Sequence, residues 1–429
     1  MNQEPQKPRT LARVLGQWDL IALTVNGVIA SAIYILPGTI SGLTGAFSPF
    51  AYLIGGLITL VFVLAFAEVS SRFDAAGGPY LYAYEAFGKF IGFEIGWIAY
   101  LTRLSAVAAN YNLFIIYFGH FFPSATSGIL RASVLFVLIA MFTIINIRGV
   151  KYGAWTVDVI TIAKLLPITL LIVVGLSYLD TSAISIQEVP PAEGFMRAMF
   201  LLVFAYGGFE IVTIPSGESV DPKRHVPRAL VISLVVIATF YFLVQIIAVS
   251  VLPGLSTEER PIAAVASELM GTFGGNLVAF GALVSTFGYF SGSILGVPRL
   301  TFALAEKKQL PSFFASVHPK FHTPYISILF YSVLTFLLAV FSDFITLAAV
   351  SVVSRLLYYI TTSSAVMAFR RKDKAPFTIP FGPVIPVLGI IIALYLFQYP
   401  KPEEVYFAAG GIAIGTILYF FVKRNNTQP

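Results

Sequence analysis

The sequence predicts an all-α polytopic membrane protein of about twelve transmembrane helices. Two five-helix repeats of inverted orientation, each opening on a broken helix (the first and the sixth), are followed by two further helices. Three observations predict it. Of the 429 residues, 57% are hydrophobic and 11% charged, against roughly 25% charged in a soluble domain. Apolar runs close to the ~20 residues that a helix needs to cross a bilayer recur along the whole chain. Two of those runs are interrupted at mid-depth by glycines and small polar residues, which hydrocarbon tolerates only where protein or a water-filled cavity satisfies the freed backbone groups.

The elements follow in order. Residues 1–16, with Lys7, Arg9 and Arg13, form a polar basic tail without the apolar stretch of a signal peptide. Spans are expected at 17–44, 48–72, 88–119, 129–148, 153–178, 194–216, 227–252, 274–305, 324–342, 344–369, 380–399 and 403–422. The first carries Asn26-Gly27-Val28-Ile29-Ala30-Ser31-Ala32-Ile33-Tyr34 at its centre, ahead of Pro37-Gly38. The sixth carries Val203 to Glu210, with Gly207-Gly208 paired. Each helical glycine costs about 1 kcal/mol relative to alanine, so the pair is a poor way to build a plain span. An interrupted helix thus opens residues 17–178 and another opens residues 194–369, the pattern of carriers built from an inverted repeat. An odd number of spans per half forces the halves into opposite orientation. Residues 380–422 stand outside the repeat, before a short tail at 423–429. Lysine and arginine crowd the tails and the even-to-odd loops, whereas the other face has only Arg131, Arg260 and Lys401, so both termini are expected in the cytoplasm.

Four basic residues fall inside spans: Arg103, Lys164, Arg197 and Arg355. Charges in the bilayer are expensive and default to a functional reading. Arg197 lies near a span end, where it is expected to snorkel. Lys164 has no such exit, being about eleven residues into the fifth span and ~16 Å from either end. Glu210 either lines a pathway or pairs with a cation such as Arg103, because burying one charge alone costs several kcal/mol. Arg355 has no evident partner. Glu218 with Arg224 and Arg228 reads as a cytoplasmic latch or as a solvated loop. His318 and His322 flank Pro319, which spoils a helical metal pair and leaves them as loop residues.

The same inventory bounds the function. No cysteine is present, so disulfides and thiolate metal sites are excluded. The net charge of +6 is spread over span ends, which points to a lipid bilayer and away from nucleic acid. No metalloprotease, nucleophile-turn or phosphate-loop motif occurs, so neither an intramembrane enzyme nor a cofactor is expected. No span offers the repeated polar face or loop filter of a channel. A sensor that binds without turnover remains open beside a carrier, and nothing in the pattern sets an oligomeric state.

Gly27 to Tyr34 is similar to the Gly-x-Ile-Gly-Ser-Gly-Ile-Phe element of the amino acid–polyamine–organocation superfamily of permeases, with the leucine-transporter-like fold. Phe204 to Glu210 resembles its Phe-Ala-Tyr-x-Gly-Phe-Glu element. Glu218, Pro222, Arg224, Pro227, Arg228 and Ala229 resemble the loop that follows. Ala75-Ala76-Gly77-Gly78-Pro79-Tyr80 is similar to the family's Gly-Gly-x-Tyr turn, and Arg299 to Ala305, with Leu310-Pro311 and His318-Pro319, to the end of its eighth span. The chain departs from the pattern at Ala30 and Ala32, where glycine is usual, and this narrows the room for backbone to approach a ligand.

The resemblance implies a secondary amino acid transporter working by alternating access. Free N–H groups at the start of one half-helix suit a substrate carboxylate, and free carbonyls at the end of the other suit its ammonium. The positions implied are Val28, Ile29, Ala30, Ser31 and Ala32 on the first span and Phe204, Ala205, Tyr206, Gly207 and Gly208 on the sixth. Ser31 adds a hydroxyl, and Phe204 or Tyr206 a gate or wall. The bland alternative is that the glycines only allow close helix packing. Thr102 falls where members carrying cationic amino acids have a glutamate, which favours a neutral substrate, while Arg103 keeps an anionic one open. Lys164 resembles the lysine that replaces a sodium ion in proton-dependent relatives. Desolvation disfavours its charged form, so it could carry a proton per cycle, with carbonyls around Gly27 and the hydroxyls of Ser285 or Thr286 as expected contacts. A fixed ammonium, giving exchange without protons, and a plain buried ion pair compete with that role.

Overall fold

The computed structural model describes residues 13–74, 77–149, 154–180, 189–214 and 216–425. Lys7, Arg9, Ala75, Ala76 and Lys151 lie outside the described residues. The helices are α1 (Gln17–Val28), α2 (Ala32–Thr44), α3 (Ser48–Ser70), α4 (Gly78–Phe87), α5 (Lys89–Phe118), α6 (Gly128–Ile147), α7 (Ala154–Gly175) and α8 (Ala192–Ala205). They continue as α9 (Pro222–Val251), α10 (Pro261–Gly296), α11 (Pro298–Glu306), α12 (Tyr325–Phe341), α13 (Phe344–Arg370), α14 (Val384–Leu396) and α15 (Pro402–Asn425). Among the described residues, eight helical runs are long and apolar enough to cross a membrane, and Ile162–Tyr178, Tyr325–Phe341 and Val384–Leu396 are shorter apolar helices. This is an all-helical integral membrane protein.

Local chemistry explains where the helices start and stop. The Asp19 carboxylate accepts the Gly16 N–H at 2.8 Å, satisfying a donor just ahead of α1. Asp343 caps α13 by accepting the Thr346 N–H at 3.0 Å. Proline occupies the first turns of α4, α9, α10 and α11, where its missing N–H is no loss. The first and sixth helices are broken as expected. α1 stops at Val28 and α2 starts at Ala32, while α8 stops at Ala205 and a 3-10 turn resumes at Phe209–Thr213. Two boundaries differ from the sequence reading. The Gly78-Pro79-Tyr80 turn opens the short helix α4. The eighth span, expected from 274, is preceded by a helical segment from Pro261 that is joined to it through a kink at Gly271, whose φ of 64° and ψ of −163° are not helical.

Apolar residues cannot by themselves drive helices together in lipid, so packing and interhelical hydrogen bonds do that work. α13, α5 and the run that begins with α8 are the most enclosed candidate spans, and the Ser351 hydroxyl of α13 donates to Thr102 O of α5 at 3.0 Å. Thr143 of α6 donates to Ser332 of α12 at 2.7 Å. Trp97 Nε1 donates to Gly411 O of α15 at 2.8 Å, and Gly415 is bare where that indole lies. Ile129, Phe136 and Val137 on α6, and Tyr406, Phe407, Ile414 and Ile417 on α15, face outward as a lipid-exposed rim.

Charges that hydropathy assigned to span ends and loops are committed to one another. Arg197, expected to snorkel, instead reaches both oxygens of Glu404 at 2.7 and 2.5 Å, and Glu404, in the first turn of α15, is 1% exposed. Arg370 makes two bonds to the buried Glu68, at 2.6 and 2.5 Å. Glu218, expected to form a latch with Arg224 and Arg228 or to lie in a solvated loop, accepts the N–H groups of Val14 and Leu15 on its backbone O at 2.9 and 3.0 Å, while Arg224 lies 3.8 Å from Asp221. His318 and His322 lie outside helices, and among the described residues no cluster suited to a metal ion occurs.

Candidate functional site

The two breaks face each other. A methyl on Gly208 would stand 3.2 Å from Gly27 O, and Gly208 has a φ of 108°, a left-handed conformation that favours glycine. A methyl on Gly27 would meet Ile211 at 3.2 Å. The hydroxyl of Tyr241, on α9, lies 2.9 Å from Ala205 O and 3.2 Å from Val28 O, so one proton is shared between the carbonyl ends of both broken helices. Tyr206 is turned away, its hydroxyl donating to Tyr52 O at 2.7 Å.

At the first break the loose carbonyls meet a cation. Lys164 is 6% exposed, and its ammonium donates to Asn26 O at 2.6 Å and Ile29 O at 2.9 Å. The expected carbonyls around Gly27 are therefore the ones it touches. Of the two expected hydroxyls, Thr286 turns back to Leu283 O at 2.7 Å, while Ser285 meets the hydroxyl of Tyr34, which in turn reaches Lys164 O at 3.3 Å. Pro167, one turn beyond Lys164, packs where Gly281 of α10 lacks a side chain, which brings the fifth and eighth spans close. Val28, Ile29, Ala30, Ser31 and Ala32 are all buried, and so are Phe204 and Ala205.

The sixth break is organised by charge. The Glu210 carboxylate accepts the Gly208 N–H at 3.0 Å and the Tyr358 hydroxyl at 2.7 Å. Arg355 and Arg103 are the cations acting on that carboxylate. The pair expected between Glu210 and Arg103 is not a close one, because among the described residues no ion pair joins them. Arg355 supplies the reason for Gly207: a methyl there would overlap Arg355 Nη1. Beside the break lies a cavity of about 270 Å³ whose wall includes Thr102, Arg103, Glu210 and Tyr358, with Tyr80 and Lys307 at one end. Lys307 donates to the Tyr80 hydroxyl at 3.0 Å and lies over its ring.

The first span is unwound with a lysine on its carbonyls, and it is set against an unwound sixth span. A model of the amino acid permease family matches residues 15–422. The chain belongs to the amino acid permease family. This permease is 30% identical to the serine/threonine exchanger SteT of Bacillus subtilis, over 89% of this chain and 89% of that protein. It is 29% identical to the methylthioribose transporter of the same organism, over 98% of this chain and 95% of the relative. The large neutral amino acids transporter small subunit 2 of Homo sapiens is 27% identical, over 96% of the permease and 80% of the relative. Family and relatives make the permease a transporter and not an enzyme.

Sequence reasoning found both breaks and Lys164. It named Arg355 as an intramembrane charge without seeing its neighbours, and it missed Tyr241 and Tyr358. Tyr241 carries no signal of its own, being one aromatic residue in an apolar helix. For Arg355 the signal was present, since an intramembrane cation and a spare glycine each called for a partner.

Proposed function

We propose that the permease moves amino acids across the plasma membrane by alternating access, coupled to protons through Lys164. The observation that carries this reading is the pair of bonds from the Lys164 ammonium to Asn26 O and Ile29 O. A conformational change that pulls these carbonyls away would leave a buried ammonium unsolvated, and such a group neutralises by releasing its proton. Substrate then takes the remaining loose ends, its carboxylate at the start of α2 near Ser31 and Ala32, and its ammonium at the end of α8 near Phe204 and Ala205. Residues 17–178 and 194–369 act as the two inverted repeats, with 380–422 outside them.

Orientation follows the basic residues, with both termini in the cytoplasm. The backbone bonds between Val14, Leu15 and Glu218 support this, because they hold the N-terminal segment beside the loop that leads into α9, whose first turns carry Lys223, Arg224 and Arg228. The cavity at Arg103 and Lys307 then opens inward. A second reading is exchange without protons. It is favoured by the 2.6 Å bond from Lys164 to Asn26 O, as a fixed ammonium would make, and by the exchanger among the relatives.

Uptake of a labelled amino-acid panel into proteoliposomes, with and without an imposed proton gradient, tests both. Accumulation driven by the gradient supports coupling. Accumulation that needs only internal amino acid supports exchange, and binding without any flux would leave a sensor.

A further inference from the structure

The bare α-carbon of Gly207 is filled from across the bundle by a guanidinium. Arg355, on α13, is 5% exposed, and its Nε and Nη1 are buried without a hydrogen-bond partner. One turn further along α13, the Tyr359 hydroxyl is buried beside the Arg355 guanidinium. One turn earlier, the Ser351 hydroxyl donates to Thr102 O and sets α13 against α5 beside Arg103. A buried donor left unbonded costs about 1–3 kcal/mol, and more when it is charged.

The local charges do not cancel. Arg355 and Arg103 both act on Glu210, which is the only carboxylate acting on Arg355 among the described residues. Both oxygens of Glu210 are already engaged, by Gly208 N and by the Tyr358 hydroxyl. The other fully buried acids are spoken for elsewhere, Glu68 by Arg370 and Glu404 by Arg197. Two arginines against one carboxylate leave an excess positive charge at the sixth break, with Arg103 on the wall of the cavity of about 270 Å³. Lys164 does not offset it, since it is itself a cation bonded to neutral carbonyls. A zwitterion brings no net charge and would leave the excess in place. A substrate with one further carboxylate would cancel it and would supply acceptors for the unbonded N–H groups.

We infer that Arg355 and Arg103 select a substrate carboxylate, so that the preferred cargo is an amino acid of net negative charge. The inference rests on the carrier reading above and names the substrate class of that same site. The α-carboxylate and ammonium go to the helix ends, and the side-chain carboxylate goes to the arginines. Arginine suits this role because its planar fork meets a carboxylate bidentately.

The test is binding to the purified full chain in detergent, comparing glutamate with glutamine and aspartate with asparagine, pairs matched in size but not in charge. The acids are expected to bind at least about tenfold tighter than their amides, and the preference is expected to disappear in Arg103→Gln and weaken in Arg355→Lys. Arg103 lies on a cavity wall, so its variant keeps the test usable if changes at Arg355 prevent folding. Equal or tighter binding of the amides overturns the inference, and so does a preference that survives both substitutions. If neutral amino acids are transported and bind at least as tightly as the acids, the carrier reading stands while this inference fails. If no amino acid of any charge binds or moves, the carrier reading itself fails.

Discussion

The first and sixth breaks look alike in sequence and are satisfied in opposite ways. At the first, the loose groups are carbonyls, and Lys164 and Tyr241 engage three of them, at Asn26, Ile29 and Val28. At the sixth, the freed Gly208 N–H goes to Glu210, while the cation that enters the break, Arg355, keeps two donors unbonded. One break is closed by the protein, and the other is left short of an acceptor. The lesson is that breaking a helix in a membrane does not by itself make a binding site. What matters is which polar demand the rest of the fold leaves unmet.

The difference can be broken experimentally, most severely at Gly207. Gly207→Leu would drive its side chain into the Arg355 guanidinium that occupies the Cβ position. Displacing a buried charge costs several kcal/mol, so substrate affinity is expected to fall by about a hundredfold or more. Titration of the purified variant checks this, and unchanged affinity would mean that the glycine only serves packing. At the other break, Lys164→Ala removes the cation from the carbonyls of Asn26 and Ile29, and pH-driven accumulation in proteoliposomes is expected to be lost. Full gradient-driven uptake by that variant would remove Lys164 from coupling.

Two milder changes sharpen the comparison. Tyr241→Phe strips the proton shared by Val28 O and Ala205 O, at an expected cost of about 1–3 kcal/mol in stability and a matching loss of affinity. If thermal unfolding and binding are both unmoved, the breaks do not depend on each other through this residue. Trp97→Phe is the control away from both breaks. It loses the bond to Gly411 O at the last helix, at a cost of about 1 kcal/mol, and is expected to lower the melting temperature slightly without altering substrate affinity. A changed affinity there would mean that the C-terminal helices reach the site.

Some of this architecture was legible residue by residue. Span length, the small residues at 26–34, the glycine pair at 207–208 and the depth of Lys164 are local facts, because lipid imposes one rule on every stretch of chain that crosses it. Resemblance sharpened that reading. Where the sequence reading erred, it was about charges near span ends. Arg197 and Glu404 each had a plausible way to reach water alone, and hydropathy cannot tell that two such residues meet.

What the sequence by itself determined was where the chain enters and leaves lipid and where its helices cannot stay intact, since both depend on the residue types of one segment. Only the tertiary structure decided that Arg355 fills the space beside Gly207, that Tyr241 spans both breaks, and that Glu210 is bonded before any substrate arrives. Apart from the bond between Glu210 and Gly208, these are contacts between segments far apart in the chain. Their partners are set by how helices pack against each other, and apolar helices surrounded by lipid carry little of that information in their composition.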